Sequence, residues 1–146
     1  MSTISIIGAG SMAAAIAGLA TRAGHTVEVM GRDASFVTPA DSFGAQEIAR
    51  AAPADAVVVK AFNTLFSHVL AAGAFRGRPL DVFIAGDDAQ AKARVAAFVG
   101  SLGLRAMEVG LLPMARTLEH VCLLSLGLLS RAVNHTNFTI GVSLPG

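Results

Sequence analysis

The chain has 146 residues, of which 53% are hydrophobic and 14% charged, and its formal net charge is +1. This length suits a single domain, over residues 1–146, with a substantial core, and so few charges give no basic surface for nucleic acid. The single cysteine, Cys122, excludes an internal disulfide bond and a metal site built from several cysteines.

The first predicted unit is a strand, a glycine-rich turn, a helix and a second strand. Thr3 to Ile7 is apolar and leads directly into the turn at Gly8. An alanine-rich helix is predicted from Ser11 to Arg22, and Gly24 ends it. Thr26 to Met30 then has the composition of a buried strand. This order is typical of the first half of a dinucleotide-binding fold.

The turn itself has the Gly-x-Gly-x-x-Ala pattern of dinucleotide-binding proteins. Gly8 permits a tight turn, Gly10 lets the backbone approach a pyrophosphate, and Ala13 lets the helix pack close to the strand. The free N–H groups at the start of the helix then face the phosphates. The predicted cofactor contacts at this turn are Gly8, Ala9, Gly10, Ser11 and Met12.

The rest of the chain alternates short apolar runs with helical patterns, which predicts an α/β fold. We expect a Rossmann-like, doubly wound parallel sheet of about five strands in the order 2-1-3-4-5. After a loop that begins at Ala34, the predicted elements are a short helix from Asp41 or Ser42 to Ala51, strands at 56–59, 80–85 and 103–109, a helix at 89–99, and a long leucine-rich helix at 112–133 followed by a tail.

Three blocks of sequence stand out together. They are Ile4–Met12, Val59–Thr64 (Val-Lys-Ala-Phe-Asn-Thr) and Val82–Asp88. These blocks resemble NADP-dependent oxidoreductases of the coenzyme F420-dependent type, with further likeness at Gly110–Glu119 and at His135–Phe138. The resemblance therefore covers nearly the whole chain. It implies NADP(H) as a cofactor and hydride transfer between NADPH and a second cofactor or small substrate, with coenzyme F420 as a candidate.

The chain departs from the family pattern after the second strand. Arg32-Asp33 passes almost directly to Ser35-Phe36, whereas family members have further strand–helix units at this point. Roughly 50 to 60 residues are missing, which corresponds to about two βα units. In the family, the ends of the missing strands help to form the adenine and nicotinamide pockets. A second hypothesis is therefore a non-catalytic nucleotide-binding module, or a remnant that has lost turnover.

Four further residues are candidates for the cofactor site. No acidic residue ends the second strand, so Arg32 is a candidate partner for the 2′-phosphate of NADP, against the alternative of a solvated loop arginine. Lys60, Asn63 and Thr64 follow a predicted buried strand, and the family resemblance puts them beside the nicotinamide or the second substrate. The alternative is that Asn63 and Thr64 cap a helix and that Lys60 is solvated.

The remaining polar residues give no catalytic constellation, and the catalytic residues stay unassigned. The histidines lack the spacing of metal ligands, so no metal site is predicted. His135 and Asn137 are candidates to reach a substrate cleft, while Asp87 and Asp88 are predicted to serve a turn and a helix cap. The excess of leucine in residues 111–146 predicts a homodimer surface there.

The leading hypothesis is thus a cytoplasmic, NADP(H)-binding oxidoreductase whose partners are small molecules and a second copy of itself. No targeting segment and no stretch long enough to cross a membrane is predicted, because Arg116, Glu119 and His120 interrupt the most apolar segment. A third interpretation, a flavodoxin-like regulatory domain, follows from the predicted strand order alone.

Overall fold

A computed structural model describes residues 3–7, 11–30, 42–74 and 76–145. In these ranges the chain forms an α/β structure in which strands and helices alternate. The strands are β1 (Thr3–Ile7), β2 (Thr26–Met30), β3 (Val59–Lys60), β4 (Asp81–Gly86) and β5 (Arg105–Glu108); the helices are α1 (Ser11–Arg22), α2 (Gly44–Ala51), α3 (Ser67–Ala72), α4 (Ala89–Ser101) and α5 (Met114–Leu128), which continues into a π-helical turn at Leu129–Val133.

The first unit has the predicted form and the predicted bounds. β1 and β2 pair in parallel, with Thr3 opposite Thr26 and Ile7 opposite Met30. The connecting helix α1 buries Ala15, Leu19 and Ala20. Gly24 lies just after it at φ 82°, a conformation that glycine adopts without strain. The strand, helix and second strand are therefore confirmed as a βαβ unit.

The other three strands form a sheet in the order β3-β4-β5. β4 and β5 are parallel, with Asp81 opposite Arg105. β3 is only two residues long and runs antiparallel to β4, with Val59 opposite Gly86 and Lys60 opposite Ala85. The prediction of a parallel strand at 56–59 is therefore wrong in both its length and its direction.

The position of α2 explains this antiparallel direction. Phe43 and Ala45 pack with Leu112 and Ala115, where α5 begins. The backbone N–H of Leu112 donates to the Asp87 carboxylate, which follows directly after β4. Ala49 and Arg50, near the end of α2, line one surface cavity with Asp87. The chain thus leaves α2 near the carboxyl end of β4 and pairs with β4 in the opposite direction.

The predicted strand order is present in two pieces, 2-1 and 3-4-5. Among the described residues no ladder of hydrogen bonds joins β1 to β3, so that link stays a prediction. One hydrophobic core nevertheless extends across both pieces. It unites Leu19 of α1, Leu70 of α3, Val82 and Ile84 of β4 and Val99 of α4, with Ile4 and Val27 packed against it.

The C-terminal helical segment begins two residues later than predicted and ends at the predicted residue. α5 begins at Met114 and ends at Leu128, and the π-helical turn continues to Val133. Asn134, which follows the turn, adopts a left-handed conformation with φ 59°. None of the helices in the described ranges has both the length and the apolar character needed to span a membrane.

Candidate functional site

The residues of the predicted glycine turn follow β1 and precede α1 in the chain. β1 ends at Ile7 and α1 begins at Ser11. Ser11 is exposed, while Met12 is half-buried and packs against the main core. Gly8, Ala9, Gly10 and Arg32 lie outside the described residues. Three residues thus connect a parallel strand to the helix that returns along it, as the dinucleotide motif requires.

Lys60 lies beside the carboxyl end of β4 but is already engaged in an ion pair. Its Nζ is 3.1 Å from Oε1 of Glu119 on α5. The same carboxylate oxygen accepts a hydrogen bond of 3.1 Å from the backbone N–H of Gly44, the first residue of α2. Glu119 thereby joins β3, α2 and α5. Lys60 would have to leave this partner to neutralise a phosphate.

Asn63 and Thr64 carry the two unpaired buried polar atoms found among the described residues, Asn63 Oδ1 and Thr64 Oγ1. Asn63 Nδ2 donates to the Leu118 carbonyl at 2.8 Å, which fixes the amide and leaves its Oδ1 without a donor. Thr64 is only 6% exposed. A buried polar group without a partner costs about 1–3 kcal/mol, so this pair is costly unless a ligand or an ordered water supplies the missing bonds.

Both residues line a small cavity of about 40 Å³ between the loop after β3 and the middle of α5. We call it the Asn63–Thr64 cavity; its other lining residues are Leu65, Phe66, Cys122, Ser125 and Leu126. The Ser125 hydroxyl already donates to the Val121 carbonyl. The loop reaches this position through Phe62, which has φ 67°, an uncommon conformation for a non-glycine residue.

The antiparallel direction of β3 separates residues that the sequence groups together. Lys60 stays near the carboxyl end of β4, where ligands of open α/β sheets bind. Asn63 and Thr64 follow along α5 and face the cavity. The loop therefore divides into an ion-paired part at the sheet edge and a part with two free polar atoms.

Asp87 and Asp88 have the structural roles predicted for them. Asp88 caps α4, because its Oδ1 accepts from the Ala91 N–H at 2.6 Å. Asp87 accepts from the Leu112 N–H at 2.9 Å and so fixes the turn before α5. His135 and Asn137 are exposed on the tail. In the described part of the chain no three His, Cys, Asp or Glu residues come together as a metal site would require.

A buried ion pair at the amino ends of β4 and β5 was missed by the sequence analysis. Asp81 is 4% exposed and accepts two hydrogen bonds from Arg105, one of 2.8 Å from Nη2 to Oδ2. The Arg105 guanidinium holds the pKa of the Asp81 carboxyl below its usual value, and the Val142 N–H adds to this effect. The sequence contains a signal for this pair, because an acidic and a basic residue begin neighbouring parallel strands that are in register.

A second missed pair lies on α4. Lys92 is buried and its Nζ bonds to the Glu108 carboxylate at the end of β5. Its stem lies against Gly86, where an added Cβ would come within 3.4 Å of Lys92 Cγ and within 3.1 Å of the Val58 carbonyl oxygen. This close approach lets β3 pair with the end of β4.

Comparison with known proteins supports the fold. No family model and no curated protein matches the sequence. A crystal structure from Arthrobacter sp. FB24, provisionally assigned as an F420-dependent NADP reductase, is similar with a TM-score of 0.77 and 18% identity, covering 96% of this chain and 98% of that one. A hypothetical protein from Sinorhizobium meliloti is similar with a TM-score of 0.63 and 22% identity, covering 77% and 87% of the two chains.

These similarities confirm, at the level of the fold, the resemblance read from the sequence. The chain has the Rossmann-like α/β architecture of the Arthrobacter protein.

Proposed function

We propose that the protein is a cytoplasmic oxidoreductase that binds NADP(H) and transfers hydride between NADPH and a second cofactor or small substrate, with the deazaflavin F420 as a candidate. The observation that carries the proposal is the β1–α1–β2 unit. Its strands are parallel, and only three residues, Gly8-Ala9-Gly10, lie between β1 and α1. That arrangement is the one in which backbone N–H groups bind a pyrophosphate.

The residues of this unit would bind and orient the dinucleotide. The N–H groups at the start of α1, from Ser11 onward, would donate to phosphate oxygens, and the helix dipole would favour their charge. Arg32 would pair with the 2′-phosphate, since a guanidinium is always charged and bonds phosphate through two N–H groups. When bound, the nicotinamide supplies the hydride, so the protein has to bind, orient and exclude water.

The two unpaired atoms of the Asn63–Thr64 cavity suit the second redox group. Asn63 Oδ1 is an acceptor, and the Thr64 hydroxyl is both a donor and an acceptor. An amide-bearing ring edge offers a complementary N–H and C=O. A cavity of about 40 Å³ accommodates only such an edge, with the rest of the ring outside. The residues present therefore fit a nicotinamide or deazaflavin edge.

The second candidate function is nucleotide binding without turnover. Two observations favour it: the small volume of the Asn63–Thr64 cavity and the ion pair that engages Lys60 with Glu119. With roughly 50 to 60 residues of the family pattern missing, about two βα units that help to form the cofactor pockets are absent. A protein of this kind would bind NADPH and fail to oxidise it.

We also propose a homodimer that buries the outer face of α5. Leu123 is 62% exposed and Leu124 57% exposed, and Leu126 is exposed as well, whereas Leu129 is half-buried. Exposed leucines at this spacing are typical of a helix that packs on a partner. Light scattering in dilute solution is expected to give about twice the chain mass of 14.9 kDa; a monodisperse particle of the single-chain mass would contradict the dimer.

Titration with NADPH and NADH, followed by a turnover assay, tests the proposed function. We expect NADPH to bind about ten- to a hundredfold more tightly than NADH, because one charge-assisted hydrogen bond to the 2′-phosphate is worth about 1.5–3 kcal/mol. Arg32→Ala should remove the preference. NADPH oxidation with a deazaflavin acceptor then separates the two candidates, since the non-catalytic module would bind but show no oxidation. Equal affinities for the two dinucleotides would refute the role of Arg32.

A further inference from the structure

The tail after the π-helical turn is held at two separate points. We call residues 138–142 the C-terminal strap. At one end Phe138 contacts Phe66, and at the other end Val142 bonds to the first residues of β4 and β5. The strap thus links the loop of the Asn63–Thr64 cavity to the amino edge of the sheet.

The attachment at the amino edge uses the buried ion pair. The Val142 N–H donates to Asp81 Oδ2 at 2.6 Å, and the Val142 carbonyl accepts from Arg105 Nη2 at 2.6 Å. Asp81 is in turn fixed by two bonds from Arg105. Charge-assisted bonds of this kind are about twice as strong as neutral ones. We call this arrangement of Asp81, Arg105 and Val142 the latch.

Gly141 lets the strap come this close. A Cβ at this position would lie 2.9 Å from Asp81 Oδ2. Arg105 and the Val142 N–H fix that carboxylate, so it cannot turn aside without losing bonds. A single added methyl group at Gly141 should therefore loosen the strap without removing any group that bonds in the latch.

The other end of the strap reaches the candidate site. The rings of Phe138 and Phe66 lie with centroids 5.2 Å apart at an angle of 69°, the edge-to-face arrangement that aromatic pairs prefer. Phe66 is half-buried, packs against the main core and lines the Asn63–Thr64 cavity together with Cys122. The ring of Phe138 therefore supports one wall of the cavity from outside.

We propose that the C-terminal strap positions the cavity wall: the latch at Asp81 and Arg105 holds Phe138 against Phe66, and Phe138 thereby fixes the side of the Asn63–Thr64 cavity. Phe138 is a positioning residue, because it acts through Phe66. The assignment rests on the proposed function only in taking this cavity as the place where the second redox group binds. The mechanical link between latch and cavity stands on the contacts alone.

The only cysteine of the chain provides a direct readout. Cys122 is half-buried and lines the cavity together with Phe66. Its rate of alkylation by iodoacetamide, followed by intact mass, reports how often the wall opens. The test compares the wild-type protein with Gly141→Ala, which disturbs the latch, and Phe138→Ala, which removes the ring contact. Gly100→Ala on α4 is the matched control, because an added Cβ there meets no atom within 4 Å.

Both strap variants are expected to be alkylated faster, by about two- to tenfold, which is the range that the loss of one hydrogen bond or of one aromatic contact allows. The control should keep the wild-type rate, and circular dichroism should show that all four proteins are folded. If the strap variants react at the wild-type rate, the strap does not position the wall and the inference is overturned. Phe138→Ala leaves the latch intact. It therefore still tests the proposal if Gly141→Ala fails to fold.

Cofactor binding in the same proteins separates this inference from the proposed function. The strap variants are expected to retain wild-type NADPH affinity and to show a raised KM for the deazaflavin acceptor. A wild-type protein that binds neither NADPH nor NADH would refute the proposed function, while the alkylation rates would still decide the role of the strap.

Discussion

Replacing Gly10 with valine is expected to lower the affinity for NADPH by about a hundredfold. A displaced pyrophosphate would lose at least one charge-assisted hydrogen bond, which is worth about 1.5–3 kcal/mol. The reason is steric. In the proposed function, Gly10 is the position at which the backbone would approach the pyrophosphate. A branched side chain would occupy that space. Isothermal titration calorimetry with NADPH measures the loss.

Gly18→Ala is the matched control for this prediction. Gly18 lies in the same βαβ unit, on α1, and an added Cβ there would meet only Arg22 Nη1, at an ordinary contact distance of 3.5 Å. This variant should fold and bind NADPH as the wild type does. A folded Gly10→Val protein with unchanged affinity would show that the dinucleotide, if bound, lies elsewhere.

Replacing Asp81 with alanine is expected to lower the free energy of unfolding by about 1.5–3 kcal/mol, which is the worth of hydrogen bonds to a charged group, because the buried Asp81 carboxylate accepts bonds from Arg105 and Val142. The Arg105 guanidinium and the Val142 N–H both lose their acceptor. Thermal unfolding should begin about 5–10 °C lower. Asp55→Ala, at an exposed turn residue, is the control and should leave the transition unchanged.

The Asp81 carboxylate should also make the stability of the protein depend on pH. Because Arg105 lowers the pKa of Asp81 in the folded protein, the unfolded chain binds the proton more readily. The stabilisation from Asp81 is therefore fully present above the unfolded pKa of about 3.9, and it is lost as the pH falls through the lower folded pKa. Urea unfolding between neutral pH and strong acid should show this loss in the wild type. An equal acid dependence in Asp81→Ala would contradict it.

The parts of the fold that the sequence predicted well are those governed by local rules. α1 and β2 have the predicted bounds because a glycine turn, an apolar strand and a C-terminal glycine each specify one boundary. β3 was predicted poorly because the run Val57-Val58-Val59 indicates only a buried, extended segment. The direction of β3 depends on where the chain leaves α2. That place in turn depends on contacts of Phe43 and Ala45 with residues some 70 positions later in the sequence.

The same distinction applies to the candidate site. The glycine motif is a local pattern, so the sequence identifies it. The ion pair of Lys60 with Glu119 joins residues 59 positions apart, and nothing in the spacing of either residue indicates its partner. The unpaired state of Thr64 is likewise a property of packing against α5. The pair of Asp81 and Arg105 could have been predicted from the sequence, because it follows from the register of two adjacent parallel strands.

The junction at Glu119 also has a consequence for the rate at which the protein unfolds. Its two bonds join residues 75 and 59 positions apart, to Gly44 and to Lys60. We expect contacts between such distant residues to form late in folding, because a long loop must close before they are made. Interactions that form so late mainly retard unfolding and contribute little to the folding rate. We therefore expect the contacts of Glu119 chiefly to prolong the lifetime of the folded protein.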